Sequence, residues 1–415
     1  MGVCILKRLI SLLLCIWMLL SLCACGQSDV PPQQEPPDPP SAEKEEENTP
    51  PPVEVIPFPE PAPDPVGDLI ASMTLEEKVG QLFFVRCPAE NAVEDIQTYH
   101  LGGYLLFGRD FKDKTANEII QTIAAYQDAA CRKSEGAEIP LLIGVDEEGG
   151  TVVRVSSNPH LRSSRFKSPQ KVLATPFEPD PNVTYNLAAL EDDTREKCRL
   201  LKALGINVNL APVVDVATNP NSFIYDRTFG VDAPLTGEAA LTVVETMSGS
   251  NMGSVLKHFP GYGDNEDTHT GIAVDSRPAE TFTTDGDLFP FLVHYASQGK
   301  TAVLVSHNII ESIDPHLPAS LSPAVHDLLR EEVEFNGVAM TDDLAMEAVA
   351  AYAEDGAVAV MAIEAGNDIV LTTDYRTQIP KVLEAVASGR LPEEAIDTAC
   401  RRVLEWKSAL GLLSF

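Results

Sequence analysis

The chain has 415 residues, with 62 acidic side chains against 30 lysines and arginines and a formal net charge of −32 at pH 7. So acidic a chain repels phosphate backbones and anionic headgroups, which argues against nucleic acid or an anionic membrane surface as a partner. The cysteines have no CxxC or other metal-ligand spacing, and no phosphate-binding loop is found, so the sequence predicts no metal and no other cofactor.

The first 25 residues are predicted to be an export signal. Lys7 and Arg8 precede an uncharged apolar run over 9–22 that is too short to span a bilayer comfortably. The run leads into Cys23-Ala24-Cys25-Gly26, which resembles a bacterial lipobox. We expect Cys25 to become the acylated N-terminus, with Cys23 as the alternative and a plain secretory signal as the rival interpretation. The expected location is therefore outside the cytoplasm of a bacterium, held to the cell membrane only by this lipid.

Residues 26–65 are predicted to form a disordered tether. Of the 35 residues between Pro31 and Pro65, 14 are proline, and an acidic run interrupts them at 43–47. Such a composition buries too little apolar surface to offset the entropy of ordering. Proline favours extended polyproline II at ~3 Å per residue, so the tether is a semi-rigid spacer. The folded region is expected to cover 66–415.

Eight short apolar runs alternate with amphipathic segments through that region. Nearly continuous apolar runs are typical of strands buried on both faces of a parallel sheet. Their regular alternation with helices predicts an α/β fold, a single-domain TIM (β/α)8 barrel, in which the long connections 147–190 and 211–235 form the rim of the active site. The runs are 82–85, 103–107, 141–145, 206–210, 254–256, 302–305, 337–340 and 368–371.

Polar side chains follow five successive runs, at the ends where this barrel places its catalytic groups. An ion is rarely placed at a buried strand end without a function or a partner, because its desolvation is costly. Five such ends together indicate a site. The residues are Asp146, Asp215, Lys257-His258, His307 and Asp342-Asp343.

Five motifs around these positions resemble glycoside hydrolase family 3. They are SMTLEEKVGQL at 72–82, DEEGGTVVR at 146–154, RTFG at 227–230, KHFPGYG at 257–263 and TDDLAM at 341–346. The second motif is similar to a signature of the β-N-acetylhexosaminidase branch of the family. The motifs fall in family order and leave no room for the second, sandwich-like domain of many relatives, which indicates the single-barrel branch.

The resemblance implies a catalytic nucleophile at Asp342 and an acid/base at His269. A carboxylate attacks the anomeric carbon and forms a covalent glycosyl-enzyme, which water opens with net retention. Asp343 is then a helix N-cap or a supporting group. Histidine, with an ordinary pKa near ~6.5, donates a proton to the leaving oxygen and later accepts one from water. Asp267 would orient the ring of His269.

One departure from the family pattern concerns this acid/base loop. Three residues separate Gly263 from Asp267, where the family usually has four. Asp264 or Glu266 is therefore an alternative proton donor, and a merely solvated charged loop is a further one.

The resemblance further implies a set of sugar-binding residues. Carboxylates accept hydroxyl hydrogen bonds, and cationic side chains donate to hydroxyls or to the N-acetyl carbonyl. A structural salt bridge is the alternative for each residue singly, and His307 and Asp215 are alternatively supports of the barrel mouth. Adjacent strand residues point to opposite faces, so one structural pair does not account for both Lys257 and His258. The predicted substrate-binding residues are Asp146, Arg154, Arg227, Lys257, His258 and His307.

The function predicted from the resemblance is retaining exo-hydrolysis of terminal β-linked N-acetylglucosamine, or N-acetylhexosamine more broadly, from peptidoglycan fragments. Phosphorolysis and β-glucosidase activity are alternatives among enzymes. A non-catalytic sugar-binding lipoprotein is the alternative from another class, although such a protein needs neither Asp342 nor His269. A bilobed solute-binding protein is excluded, because the eight runs do not divide into two similar halves. We expect a monomer whose partner is its carbohydrate substrate.

Overall fold

The computed structural model describes residues 63–131, 138–176, 184–263, 273–346 and 356–415, together with Val349 and Tyr352. The predicted lipidation site Cys25 and the acid/base pair Asp267 and His269 lie outside the described residues. The fold begins where Asp64 caps the first helix by accepting from the Gly67 N–H, slightly before the predicted boundary at Val66. None of the helices in these described ranges is long and apolar enough to cross a membrane.

Ten strands and twelve α-helices follow in the described ranges. The strands are β1 Phe83–Arg86, β2 Gly103–Leu106, β3 Leu142–Val145, β4 Val208–Asn209, β5 Gly253–Phe259, β6 Val274–Asp275, β7 Thr301–Val305, β8 Ile309–Ile310, β9 Ala339–Thr341 and β10 Val370–Thr372. The helices are α1 Pro65–Ser72, α2 Leu75–Gln81, α3 Ala92–Tyr99, α4 Gly108–Phe111, α5 Ala116–Cys131, α6 Pro169–Leu173, α7 Leu187–Ala203, α8 Ala233–Gly249, α9 Pro323–Asp327, α10 Val358–Ala365, α11 Tyr375–Ala387 and α12 Glu393–Ala409. Short 3-10 helices cover Tyr225–Arg227, Ala279–Thr281, Phe289–Ser297 and Ala319–Leu321, and a π-helical turn covers Leu328–Glu332.

Eight of the strands form one parallel sheet in the order β10-β1-β2-β3-β4-β5-β7-β9. An isolated parallel bridge between Met340 and Ile369 joins its two edges and closes the barrel. Each of the eight apolar runs overlaps one of these strands, so the predicted TIM barrel is confirmed. The short parallel pair of β6 and β8 lies outside the main sheet and was not predicted.

Both faces of the barrel strands are buried. One set of strand side chains fills the barrel interior, and the other set packs against the surrounding helices. The interior is tight enough that a Cβ on Gly144 would lie 2.5 Å from Cζ of Phe84. Trp406 of α12 and Leu410, which follows that helix, belong to the same interior cluster. This double burial explains why the strands read as continuous apolar runs.

The four cysteines among the described residues of the barrel are free thiols. Cys87, Cys198 and Cys400 are buried, and Cys131 is half-buried. Burial raises the pKa of Cys87 and of Cys198 to about 11, so both stay protonated at neutral pH.

Candidate active site

A pocket of about 470 Å³ opens at the carboxyl ends of the barrel strands. Six sequence-predicted site residues line it together, namely Asp146, Arg154, Arg227, Lys257, His258 and Asp342. They come from positions up to 196 residues apart in the chain, from 146 to 342, so only the closed barrel brings them together. The remaining lining residues are Arg86, Leu105, Phe107, Glu148, Val152, Leu210, Leu304, Asp343, Ala345, Met346, Leu371 and Thr373.

Lys257 lies at the centre of a buried charge cluster. Its Nζ is 2.8 Å from Oδ1 of Asp146 and 2.7 Å from Oε1 of Glu148. Arg227 donates to both carboxylate oxygens of Glu148, to Oε1 at 2.9 Å and to Oε2 at 3.0 Å. Arg154 completes the cluster more loosely, 3.6 Å from Asp146. The cluster holds the Asp146 carboxylate and the cationic donors in fixed positions at the pocket wall.

The cluster stays ionised because its members compensate one another. Burial alone raises the pKa of Glu148, but the Arg227 and Lys257 cations outweigh it and hold that pKa below its usual range. Burial alone lowers the pKa of Lys257, yet Asp146 and Glu148 raise it above its ordinary value. Both groups are therefore charged at neutral pH. The pocket thus presents fixed charges to a polar ligand.

His258 is oriented from behind by Asp215. Its Nδ1 lies 2.8 Å from Oδ2 of Asp215, a buried carboxylate that also accepts from the Tyr262 N–H at 2.7 Å. A carboxylate acceptor places the proton on Nδ1, which leaves Nε2 facing Arg227 Nη2 at 3.4 Å. Asp215 is absent from the pocket wall, so it has the supporting role that the sequence left as an alternative.

The expectation that Lys257 and His258 point to opposite faces is wrong. Both side chains line the same pocket, and the peptide bond between them is cis. The pairing of β5 with β7 shifts register between Lys257 and Phe259, so the regular alternation of a strand does not hold there.

Glu147 holds the loop that carries Arg154. Its fully buried carboxylate accepts the backbone N–H groups of Arg154, Val155 and Ser156 at 2.8, 2.7 and 3.2 Å. The Asn209 side chain binds both the N–H and the carbonyl of Glu147. Gly149, at φ +106°, passes so close to the Lys167 carbonyl that a Cβ would lie 2.1 Å from it. The motif at 146–154 therefore fixes the backbone of this loop and also supplies side chains that line the pocket.

We expect Glu147→Gln to weaken both the fold and sugar binding. The amide NH2 faces backbone donors, so one or more N–H groups lose their acceptor, which costs about 1–3 kcal/mol of unfolding free energy. Arg154 then shifts, and KM rises more than kcat falls. Urea unfolding and steady-state kinetics measure the two effects. The exposed Glu238→Gln on α8 is the matched control, and equal behaviour of the two variants would contradict this role for Glu147.

Asp342 lies where β9 ends, with its N–H donating to the Val305 carbonyl at 3.1 Å. Its Oδ1 accepts the Asp343 N–H at 2.8 Å, which fixes the rotation of the carboxyl group. Asp343 instead turns to its own loop and accepts the Ala345 N–H at 3.0 Å. Burial and the neighbouring Asp342 charge raise the pKa of Asp343. Of the two aspartates, Asp342 is thus the better placed carboxylate for attack, and Asp343 supports the turn.

The structure does not support sugar contact by His307. The side chain is fully buried and is not among the described residues that line the pocket. Its Nδ1 contacts Ser320 Oγ at 2.7 Å, and its Nε2 lies 3.1 Å from the Asp343 carbonyl. The His307 side chain thus faces the backbone of the loop that follows β9. His307 therefore holds that loop, and the alternative of a barrel-mouth support is the better description.

Several pocket residues were missed by the sequence analysis, chiefly Arg86, Phe107 and Glu148. Glu148 stands two residues after Asp146, a spacing that returns a side chain to the same face in extended chain. Arg86 and Phe107 are the residues that end or follow the first two apolar runs, where a barrel site is expected. Their places beside these runs were the signal that could have identified them.

The predicted acid/base segment is bounded by an ion-pair clamp. Arg277 donates to the Gly261 carbonyl at 2.9 Å, and it pairs with Asp275 and Asp287 at 2.6 Å each. Gly261 precedes the segment 264–272 and Asp275 follows it, so Arg277 ties together the chain on its two sides. Within the described residues, no group of three or more histidine, cysteine or acidic side chains is arranged to hold a metal ion.

Comparison with known proteins places this barrel in one family. The model of the glycosyl hydrolase family 3 N-terminal domain matches residues 74–406. A β-hexosaminidase of Xylella fastidiosa strain M12 is 31% identical over 321 residues, which are 77% of this chain and 90% of that protein.

Two solved structures share the fold. The β-N-acetylhexosaminidase of Beutenbergia cavernae matches at 30% identity with a TM-score of 0.69, over 82% of this chain and 99% of that one. A family 3 β-N-acetylglucosaminidase of Paenibacillus sp. str. FPU-7 matches at 29% identity and a TM-score of 0.71, over 83% of this chain but only 64% of that one. The predicted family and enzyme class are thereby confirmed: the chain belongs to glycosyl hydrolase family 3 and is a glycoside hydrolase.

Proposed function

We propose that this enzyme removes terminal β-linked N-acetylglucosamine from glycans with net retention of anomeric configuration. The observation that carries the proposal is the position of Asp342, at the end of β9 in the same pocket as the Lys257 charge cluster. Relatives named β-hexosaminidase and β-N-acetylhexosaminidase, matched over most of their length, support the choice of sugar.

The proposed reaction has two steps. The Asp342 carboxylate attacks the anomeric carbon while His269 gives a proton to the departing glycosidic oxygen, and a glycosyl ester of Asp342 forms. Water then attacks the same carbon, His269 takes the proton from that water, and Asp342 leaves as a carboxylate. Two inversions at one carbon give net retention.

The charge cluster binds the sugar in this proposal. Asp146 accepts hydroxyl hydrogen bonds, while Lys257, Arg227 and Arg154 donate to hydroxyl or carbonyl oxygens. Because these groups are already fixed by one another, little reorganisation accompanies the build-up of charge in the transition state. His258, oriented by Asp215, contributes a further ring nitrogen to the same wall.

The full chain is proposed to act as a monomeric lipoprotein on peptidoglycan fragments. The lipobox-like sequence ending at Cys25 and the proline-rich tether support this location, since a spacer on a lipid anchor presents the barrel to wall-derived sugars. Mass spectrometry of the N-terminal peptide from membrane-extracted protein tests it. A diacylated Cys25 is expected, and an unmodified N-terminus in the medium would refute the anchor.

Release of p-nitrophenol from its β-N-acetylglucosaminide tests the activity. We expect turnover by the wild type in phosphate-free buffer, with the free sugar as product. A sugar 1-phosphate formed in phosphate buffer would instead identify a phosphorylase, and cleavage of the matching glucoside alone would identify a glucosidase. Failure of the folded wild type to cleave either substrate would leave the sugar-binding protein as the function.

The role of His269 predicts a dependence on the leaving group. His269→Ala should cut kcat/KM for a methylumbelliferyl glycoside by ~10²–10⁴-fold, because that oxygen needs protonation as it departs. A 2,4-dinitrophenyl glycoside, whose leaving group needs no proton, should lose far less in the first step, and azide should restore turnover. Asp264→Asn and Glu266→Gln are the controls within the same loop. A similar leaving-group pattern in either of them, with none in His269→Ala, would move the acid/base role.

A further inference from the structure

Arg86 differs from the other cations of the pocket because it forms no ion pair with any carboxylate of the described residues. Arg227 and Lys257 lie within 3.0 Å of Glu148, and Arg154 lies 3.6 Å from Asp146. For Arg86, no carboxylate oxygen of the described residues lies within the 4.0 Å that defines an ion pair. Its charge is therefore not compensated by direct contact, although it lines the same pocket.

An aromatic ring fixes this guanidinium in place. The Arg86 Cζ stands 4.1 Å from the centroid of Phe107, and the Arg154 Cζ stands 5.1 Å from the same centroid. A ring face holds a cation without neutralising it. The Nε atoms of both arginines are buried and have no hydrogen-bond partner in the described part of the chain. Two guanidiniums with unused donors thus lie against one ring at the pocket wall.

Asp343, which interacts electrostatically with Arg86, has other partners for its carboxylate. Asp343 directs its carboxylate to the Ala345 N–H at 3.0 Å and to Thr373 Oγ1 at 3.5 Å. Burial raises the pKa of Asp343, whereas the Arg86 cation lowers it and so acts on Asp343 through space, but Arg86 forms no direct ion pair with it. A buried donor without an acceptor is costly, so such groups in a pocket require an explanation.

We propose that Arg86, with Arg154 beside it, binds an anionic group of the substrate, either a carboxylate or a sulfate. The guanidinium fork matches the oxygens of such a group with two charge-assisted hydrogen bonds, whereas a neutral hydroxyl offers a single acceptor. A chain with a net charge of −32 repels anions, so a local cation is what admits an acidic sugar to this pocket. The proposal rests on the proposed function, and it assigns to that function acidic N-acetylated sugars as the preferred class.

The first test measures the binding of monosaccharides, which the enzyme does not hydrolyse. Calorimetry compares N-acetylglucosamine with N-acetylmuramic acid and with N-acetylglucosamine 6-sulfate, on residues 63–415 of the wild type. At least one acidic sugar should bind about tenfold more tightly than the neutral one, as expected for a charge-assisted contact. The sugar that gains affinity tells whether the anion is the lactyl carboxylate or a 6-sulfate. Equal affinities for all three sugars would overturn the proposal, whether or not the protein hydrolyses anything.

Variants then assign the preference to Arg86. Arg86→Gln should remove the preference, weakening binding of the acidic sugar about tenfold more than binding of the neutral sugar. Arg86→Lys keeps the positive charge but loses the forked geometry of the guanidinium, so it should retain part of the preference for the acidic sugar. Arg390→Gln, an exposed arginine paired with Glu364, changes the net charge equally and should keep the whole preference.

Rates of hydrolysis of matched neutral and acidic substrates provide the third test of the proposal. Methylumbelliferyl β-N-acetylglucosaminide and its 6-sulfate, and the disaccharides with N-acetylglucosamine or N-acetylmuramic acid at the reducing end, are compared in wild type and Arg86→Gln. A loss of about tenfold confined to the acidic member of a pair supports the proposal. An equal loss for both members would make Arg86 a brace of the pocket and refute it. Absence of all turnover in the wild type would refute the hydrolase and leave the binding result to decide on Arg86.

Discussion

Asp342→Asn is expected to reduce kcat on the order of 10³–10⁵-fold, because the amide cannot form the glycosyl ester. The substitution keeps size and shape, and the Asn side-chain oxygen still accepts the Asp343 N–H that now binds Oδ1 of Asp342. The fold and KM should therefore change little. Kinetics with an activated aryl β-N-acetylglucosaminide, together with thermal unfolding, measure these quantities.

Asp343→Asn is the matched control for that result. Asp343 is adjacent in sequence, lines the same pocket and carries the same charge, but its carboxylate serves the turn to Ala345. We expect a loss of about tenfold or less, of the size that follows a disturbed hydrogen bond rather than a lost nucleophile. If Asp343→Asn proves the more damaging change, the assignment of the nucleophile to Asp342 is wrong.

Lys257→Met should damage both stability and catalysis. The variant leaves Asp146 without its 2.8 Å cation and Glu148 with Arg227 alone. Breaking a buried ion pair by removing one partner costs about 3–5 kcal/mol. Loss of a fixed donor at the sugar is expected to lower kcat/KM by about 10²–10³-fold. Denaturant unfolding and kinetics well below the transition temperature separate the two effects.

Two comparisons sharpen this prediction. Adding Glu148→Gln to Lys257→Met removes the uncompensated charge, so part of the stability should return while activity does not. Lys78→Met breaks a lysine contact with Glu393 and Asp397, whose side chains are 57% and 41% exposed, far less buried than Asp146 and Glu148. Lys78 lies outside the pocket, so its loss should be small and should leave kcat/KM unchanged. Recovery of activity in the double variant would contradict a direct role for Lys257.

The barrel could be predicted closely because its strands are buried on both faces. Double burial makes each strand an apolar run, and helical segments separate the runs, so all eight strands of the main sheet were found. The short pair of β6 and β8 escaped because two residues per strand produce no pattern. The site residues at strand ends were found for the same reason, since a charged group stands out beside an apolar run.

The directions in which individual side chains point could not be predicted from the sequence. His258 lies near the end of β5 and His307 follows β7. His258 nevertheless reaches the pocket, whereas His307 contacts Ser320. The register of β5 shifts beside His258, and that shift depends on pairing with β7. The positions of Glu148 and Arg86 pointed toward the pocket, but their contacts with Lys257 and Phe107 form only in the folded barrel and could not be predicted.

Trapping of the glycosyl-enzyme tests the central claim most directly. 5-Fluoro-N-acetyl-β-glucosaminyl fluoride carries a good leaving group, and its ring fluorine slows hydrolysis of the ester, so the intermediate should accumulate. Proteolysis and mass spectrometry of the inactivated wild type should find one sugar, attached to the carboxyl group of Asp342, and Asp342→Asn should remain unlabelled. A label on another residue, or turnover of the reagent with inversion and no adduct, would contradict a retaining mechanism through Asp342.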